Sequence, residues 1–159
     1  MLRLLRLSQR ALSIRARGLD HVCVCVTDIE ASISWYTRVL GLQLRHESEP
    51  HFYPTAARAP AFLTAGDKED QSGNGGVALL PLENPAQKIA DHQGAHFALR
   101  IDQDEFLRAS CGALRETLEE HRVHDTQSIE VKEFDYGIQR SLFFSDPDGN
   151  IIELASWGY

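Results

Sequence analysis

Residues 20–26 alternate, with His21, Cys23, Cys25 and Thr27 on one face and Val22, Val24 and Val26 on the other, the period-two pattern of a half-buried strand. Thr27-Asp-Ile-Glu30 reads as a capping box that opens a helix. Its stripe is Ile29, Ile33, Tyr36 and Leu40, and Gly41 stands where a C-terminal cap belongs. Strands are predicted over 42–47, 60–65 and 76–82, so the first half is a strand, a helix and three strands. Glycine-rich residues 68–76 form a loop, and 83–93 a linker.

The second half repeats the order. A strand is predicted over 95–101, with His96, Ala98 and Arg100 opposite Phe97, Leu99 and Ile101. A helix over 102–121 starts at Asp102 with Glu105 three residues on, and carries Phe106, Ala113, Leu114 and Leu118. Strands follow over 127–132, 138–145 and 150–156, the last two joined as a hairpin by Asp146-Pro-Asp-Gly149.

Laying 18–80 over 93–154 aligns His21 with His96 at an offset of 75, and Gly75-Gly-Val-Ala-Leu79-Leu80 with Gly149-Asn-Ile-Ile-Glu153-Leu154 at an offset of 74. A long period present only twice is an internal duplication, since a solenoid needs more copies. Leu79 thus falls opposite Glu153, and both modules carry a histidine at the matched place.

The 159 residues make one domain, able to bury about two thirds of the surface of the unfolded chain. The net charge of −7 conceals a split: residues 1–17 hold five arginines and no acid, leaving 11 basic against 23 acidic side chains elsewhere. An acidic body lacks the clustered cations that nucleic acid requires, and no apolar run is long enough to span a membrane. The leader, rich in arginine with leucines between, has the composition of a mitochondrial transit peptide, so the matrix is the expected location and the cytoplasm the alternative. Three cysteines without framework spacing fit a reducing compartment, and Cys23 and Cys25 are expected to pack as small apolar residues.

A single histidine on a half-buried strand is ordinarily a hydrogen-bonded core residue, and a lone glutamate on a terminal strand a solvated one. Repetition changes this. His21 and His96 occupy matched positions, and Glu153 shares their orientation away from the apolar rows. If the modules pair about a pseudo-twofold axis, two imidazoles and a carboxylate converge as three metal ligands with open positions, the pattern of a catalytic centre. Arg100, four residues past His96 on its face, is placed to hold a substrate carboxylate. His46, His51, His92, His121 and His124 have no repeat partner and read as surface or loop residues.

The stretches Gly18-Leu-Asp-His21-Val, Trp35-Tyr36, Val39-Leu-Gly-Leu42 and Asp146-Pro-Asp-Gly-Asn-Ile-Ile-Glu153-Leu154 resemble the vicinal oxygen chelate superfamily of glyoxalases, bleomycin-resistance proteins and extradiol dioxygenases. The resemblance covers about 18–157, and the fold class it implies is α+β. Two paired βαβββ modules, about 18–83 and 94–157, would form a curved mixed sheet around one divalent ion (zinc, manganese, iron or nickel). It carries the ligand roles over to His21, His96 and Glu153. Leu79 then stands at the fourth position that glyoxalase I uses and cannot coordinate. Phe143 stands where ring-cleaving dioxygenases and fosfomycin-inactivating enzymes carry a tyrosine. Arg100, Phe143 and Leu79 are the expected substrate-lining residues.

What the resemblance implies is a glyoxalase-type lyase or isomerase acting on a small oxygen-rich metabolite, with Glu153 as ligand and, on loosening, as base. An iron-dependent ring-cleaving dioxygenase and a non-catalytic binding module are the alternatives. Members of this size form homodimers that exchange modules, so a homodimer is expected as well.

Overall fold

The computed structural model describes residues 19–45, 60–65, 75–82, 95–125 and 129–158; the leader, the linker over 83–93 and most of the loops lie outside these. Module one comprises β1 (His21–Val26), α1 (Ile29–Leu40), β2 (Gln43–Leu44), β3 (Ala61–Thr64) and β4 (Gly76–Pro81). Module two comprises β5 (His96–Arg100), α2 (Gln103–Arg108), α3 (Leu114–Glu120), β6 (Lys132–Asp135), β7 (Gln139–Ser145) and β8 (Ile151–Trp157). Each module forms its own four-stranded mixed sheet, ordered β1-β4-β3-β2 and β5-β8-β7-β6, with the first and last strands of the module paired in parallel. The α+β fold of two βαβββ modules is as expected; the mixed sheet is divided into two hydrogen-bonded halves.

Local chemistry differs from the sequence pattern at four places. The N-cap of α1 is Asp28, whose carboxylate accepts from Ala31 N at 3.0 Å, one residue beyond Thr27. The predicted helix over 102–121 is interrupted between α2 and α3 by a π-helical turn, Ala109–Ala113, where Gly112 adopts φ 110°, a conformation only glycine takes readily. Asp102 is the N-cap of α2 without a side-chain cap bond, and Glu105 pairs with Arg108 instead of reaching back. The strand expected over 127–132 is β6, displaced toward the C-terminus. Its register with β7 is set by the tight connection through Gly137 at φ 85°, where Asp135 accepts from Gly137 N.

Both sheets bury one face under helices. Val24, Val26, Leu63, Val77 and Leu79 meet Trp35 and Tyr36 of α1, while Leu142, Phe144, Ile152 and Leu154 meet Phe106, Leu114 and Leu118. The two cores join where Trp35 lies against Phe144, ring centroids 6.5 Å apart.

The seam is polar as well. Tyr36 Oη donates to Asp146 Oδ2 at 2.8 Å, and Asn150 Nδ2 donates to both Asp146 Oδ2 at 2.7 Å and the Cys25 carbonyl at 3.0 Å. Asp148 N and Asn150 N donate to Asp146 Oδ1 at 3.0 and 2.8 Å. Thr27 bonds to Asp148 Oδ1 through its hydroxyl at 2.6 Å and its amide at 3.1 Å. Thr27 therefore serves the seam and leaves the helix cap to Asp28.

Asp146 is 1% exposed, and burial pushes its carboxyl up to about 6 against the pull of the Asn150 and Tyr36 hydrogen bonds, with Asp148 adding to the rise. Tyr36 is raised too, by burial and by Asp146, and so stays a donor. A carboxyl raised on folding stabilises the fold in its protonated form, so the contribution is complete below about pH 4 and is lost as pH climbs through 6. Asp146→Asn does not titrate. The stability of wild type relative to this variant is expected to fall by about 3 kcal/mol between pH 4 and pH 7, read from urea unfolding curves; a difference that stays flat with pH contradicts the assignment.

Candidate metal centre in two half-sites

Strand alternation puts the candidate ligands on the face of each sheet turned away from the helices. In module two, β5-β8-β7-β6 is crossed by rows of paired residues: Ala98, Glu153, Phe143 and Lys132 in one, Arg100, Ala155, Ser141 and Phe134 in the next. Glu153 sits at the centre of this face, 6% exposed, with His96 at a diagonal position on β5.

The structure brings His96 and Glu153 together. His96 Nε2 and Glu153 Oε2 are 2.9 Å apart, a hydrogen bond when the proton is on Nε2. The other oxygen, Oε1, accepts from Ser141 Oγ at 2.5 Å and from Gln139 Nε2 at 2.8 Å, and Gln139 Nε2 also donates to Ser141 Oγ at 3.0 Å. The Phe143 ring stands edge-on to His96, centroids 5.3 Å apart at 74°.

Module one carries the matching arrangement. His21 stands edge-on to Phe62, centroids 5.3 Å apart at 90°, and its side chain is 34% exposed against 35% for His96. Asp20 accepts from His21 Nδ1 at 2.6 Å when the proton is on Nδ1, which leaves Nε2 as the lone-pair nitrogen, the way ligating histidines are commonly held.

The strand register corrects the repeat alignment by one residue. Glu153 pairs with Ala98 and Phe143; the residue that pairs with Cys23 and Phe62 is Ala78. Ala78, not Leu79, is the counterpart of Glu153, at the same offset of 75 that relates the histidines. Leu79 matches Leu154 and is fully buried in the core, so it lines no substrate pocket. A slip of one residue exchanges the faces of a strand, which is why the position matters. Alanine, like leucine, cannot coordinate.

The three expected ligands do not converge within one chain. Among the described residues no group of three His, Cys, Asp or Glu side chains gathers at metal-binding distance. His21 opens on a recess of about 240 Å³ with Arg45, Phe62 and Thr64, and His96 on a separate basin of about 450 Å³ with Lys132, Phe134, Tyr136 and Phe143.

The donors that do meet fit a cation. Two ligands roughly 2.0–2.2 Å from one ion and at right angles around it stand about 3 Å apart, the separation of Nε2 and Oε2 here. An imidazole and a carboxylate are two of the three expected donors, and His21 is the third, on a face of its own.

Of the remaining candidates, Arg100 is exposed at the end of β5, flanked by Ala98 and Ala155, whose small side chains leave the floor between it and Glu153 low. Phe143 is half-buried beside both ligands. Cys23 is exposed and Cys25 half-buried on the His21 face, in contrast to the core packing expected of them. His121 and His124 follow α3, away from both half-sites in sequence, and His46, His51 and His92 lie outside the described residues. Ser141 and Gln139 had no signal of their own: their importance comes from pairing between β7 and β8, although their shared parity with Phe143 on the strand was available.

A family model, the Glyoxalase/Bleomycin resistance protein/Dioxygenase superfamily, matches residues 18–154. The chain belongs to this superfamily. It is similar to the metallothiol transferase FosB of Staphylococcus epidermidis, at 26% identity over 86% of this chain and 80% of that one. It is similar to catechol-2,3-dioxygenase of Bacillus subtilis at 25% identity, over 86% of this chain and 40% of the longer relative. Among solved structures, that of the Listeria monocytogenes fosfomycin resistance protein FosX with manganese(II) and 1S,2S-dihydroxypropylphosphonic acid shares the fold at a TM-score of 0.61 and 16% identity, covering 91% of this chain and 95% of that one.

The two faces of the module-one sheet separate in their consequences. Leu79→Ala is expected to destabilise the fold by about 2–5 kcal/mol through the cavity it leaves, and Cys23→Ala, on the exposed side of the same sheet, by about 0.5 kcal/mol or less. Urea unfolding measures both, and the reverse order would contradict the face assignment.

Proposed function

We propose that this superfamily member is a divalent-metal-dependent enzyme of the glyoxalase type, a lyase or isomerase acting on a small oxygen-rich metabolite, with its centre assembled from two copies of the chain. The observation that carries the reading is the pair His96 Nε2 and Glu153 Oε2 at 2.9 Å, matched by a second half-site in which Ala78 stands where Glu153 would be. Each half-site is short of what the other holds. A second copy that lays its His21 face over the His96 face completes two imidazoles and one carboxylate, and the same contact made in reverse completes a second centre.

Zinc, manganese, iron or nickel suits such mixed nitrogen and oxygen donors, and when bound supplies a Lewis acid that polarises a substrate carbonyl. The protein does the rest. Arg100 offers a bidentate partner to a substrate carboxylate across the low floor of Ala98 and Ala155. Phe143 and Phe134, whose rings meet edge-on with centroids 5.6 Å apart, give the substrate an apolar wall and exclude water from the ligands. The relative that is a catechol dioxygenase favours ring cleavage as a second reading. Oxygen uptake with a catechol by the iron-loaded protein would select it, and glutathione adducts of methylglyoxal are the matching assay for the first.

Mixing variants tests the assembly. His21→Ala and Glu153→Ala, each alone, are expected to bind almost no metal. Refolded together, random pairing makes half the dimers mixed, each with one intact centre of two, and restores about a quarter of wild-type metal content. Elemental analysis after gel filtration reads the result; a mixture that stays empty while wild type binds one ion per chain means that each centre is built within a single chain. Unchanged metal content in His21→Ala and His96→Ala would instead favour a binding module without a metal centre.

A further inference from the structure

The hydrogen bonds of Glu153 distinguish its two oxygens. Oε1 is engaged twice, by Ser141 Oγ at 2.5 Å and Gln139 Nε2 at 2.8 Å, while Oε2 faces His96. Ser141 is fully buried and Glu153 is 6% exposed, so no water competes freely for these bonds. Gln139 Nε2 also donates to Ser141 Oγ at 3.0 Å, which directs the Ser141 proton onward to Glu153. All three side chains rise from adjacent antiparallel strands in one register, β7 and β8, and cannot move independently.

We infer that Ser141 and Gln139 are positioning residues that hold Glu153 as a one-oxygen ligand through Oε2. This rests on the metal-centre reading above and deepens it. A carboxylate engaged at one oxygen by two donors is held against rotation, and outer partners of this kind orient ligands and raise metal affinity. Turning Glu153 to present both oxygens, or releasing it to move a proton between substrate carbons, would break both bonds at a buried site. The clamp therefore assigns Glu153 to holding the ion. The base that the reaction needs is then another group, and the loosened glutamate of the family resemblance does not apply to this chain.

Cobalt(II) is the probe, because its visible absorption reports coordination number and its titration reports affinity. Ser141→Ala and Gln139→Leu are each expected to weaken cobalt(II) binding by about 10–100-fold and to change the intensity of the absorption bands as Glu153 turns to offer both oxygens. Thermal unfolding of the metal-free variants shows that they are folded, and Gln139, half-buried at the strand end, carries the test should Ser141→Ala fail to fold. Variants that bind within twofold of wild type, with superimposable spectra, overturn the clamp and leave the metal centre standing. Wild type that takes up no cobalt(II), zinc or manganese overturns the metal reading and the clamp with it.

Discussion

The buried carboxylate of Asp146 is the constraint on which the arrangement of the molecule depends. It sits in the turn between β7 and β8 and takes four hydrogen bonds, of which the one from Tyr36 crosses from module one. Asn150 and Thr27 cross the same seam. Such a group is desolvated at considerable cost unless every donor is in place, so the turn tolerates one relation between the modules and few others. The apolar contact of Trp35 with Phe144 adds burial but not direction.

That relation has a consequence for the ligands. With α1 and the β7–β8 turn occupying the junction, the modules meet on their helix-bearing sides, and the recesses of His21 and His96 stay separate. A duplicated chain would be expected to fold its two histidines onto each other. Here the seam keeps them apart, and each donor set lies on a recess of its own. Ala78 in place of a second glutamate makes the half-sites unlike, and in the proposed assembly each takes the opposite half and not its own kind.

Much of this was legible in the sequence, because strand alternation is a strict period. The valines at 22, 24 and 26 and the apolar residues at 97, 99 and 101 placed both histidines on the opposite face, and the same succession of strand and helix periods in each half indicated the βαβββ order. The one-residue error at Leu79 arose because glycines 75 and 76 were aligned with Gly149 and Asn150 as turn residues, whereas in the structure Gly76 already pairs within β4. Gly112 lay inside a helical stripe, and nothing in the pattern of Phe106, Leu114 and Leu118 distinguished a tolerated glycine from one at φ 110°. The convergence of three ligands was a statement about how two sheets face one another. Local periodicity carries no information on that point, and it was decided by Thr27, Tyr36 and Asp146 across the chain.

The contrast between the two half-sites also bears on how the chain divides its chemistry. On β8 the glutamate is surrounded by groups that fix it, Ser141 and Gln139 on one oxygen and His96 on the other. On β1 the histidine is held by an exposed aspartate and the edge of Phe62, with an arginine lining the recess. A rigid pair preorganises a centre, since the ligands lose little freedom when the ion arrives. A looser third ligand suits an element that docks from another molecule and must adjust as it arrives. In the proposed centre the asymmetry left by the duplication would separate a half that prepares the ion's place from a half that closes it, and the buried seam would keep the two from closing on themselves.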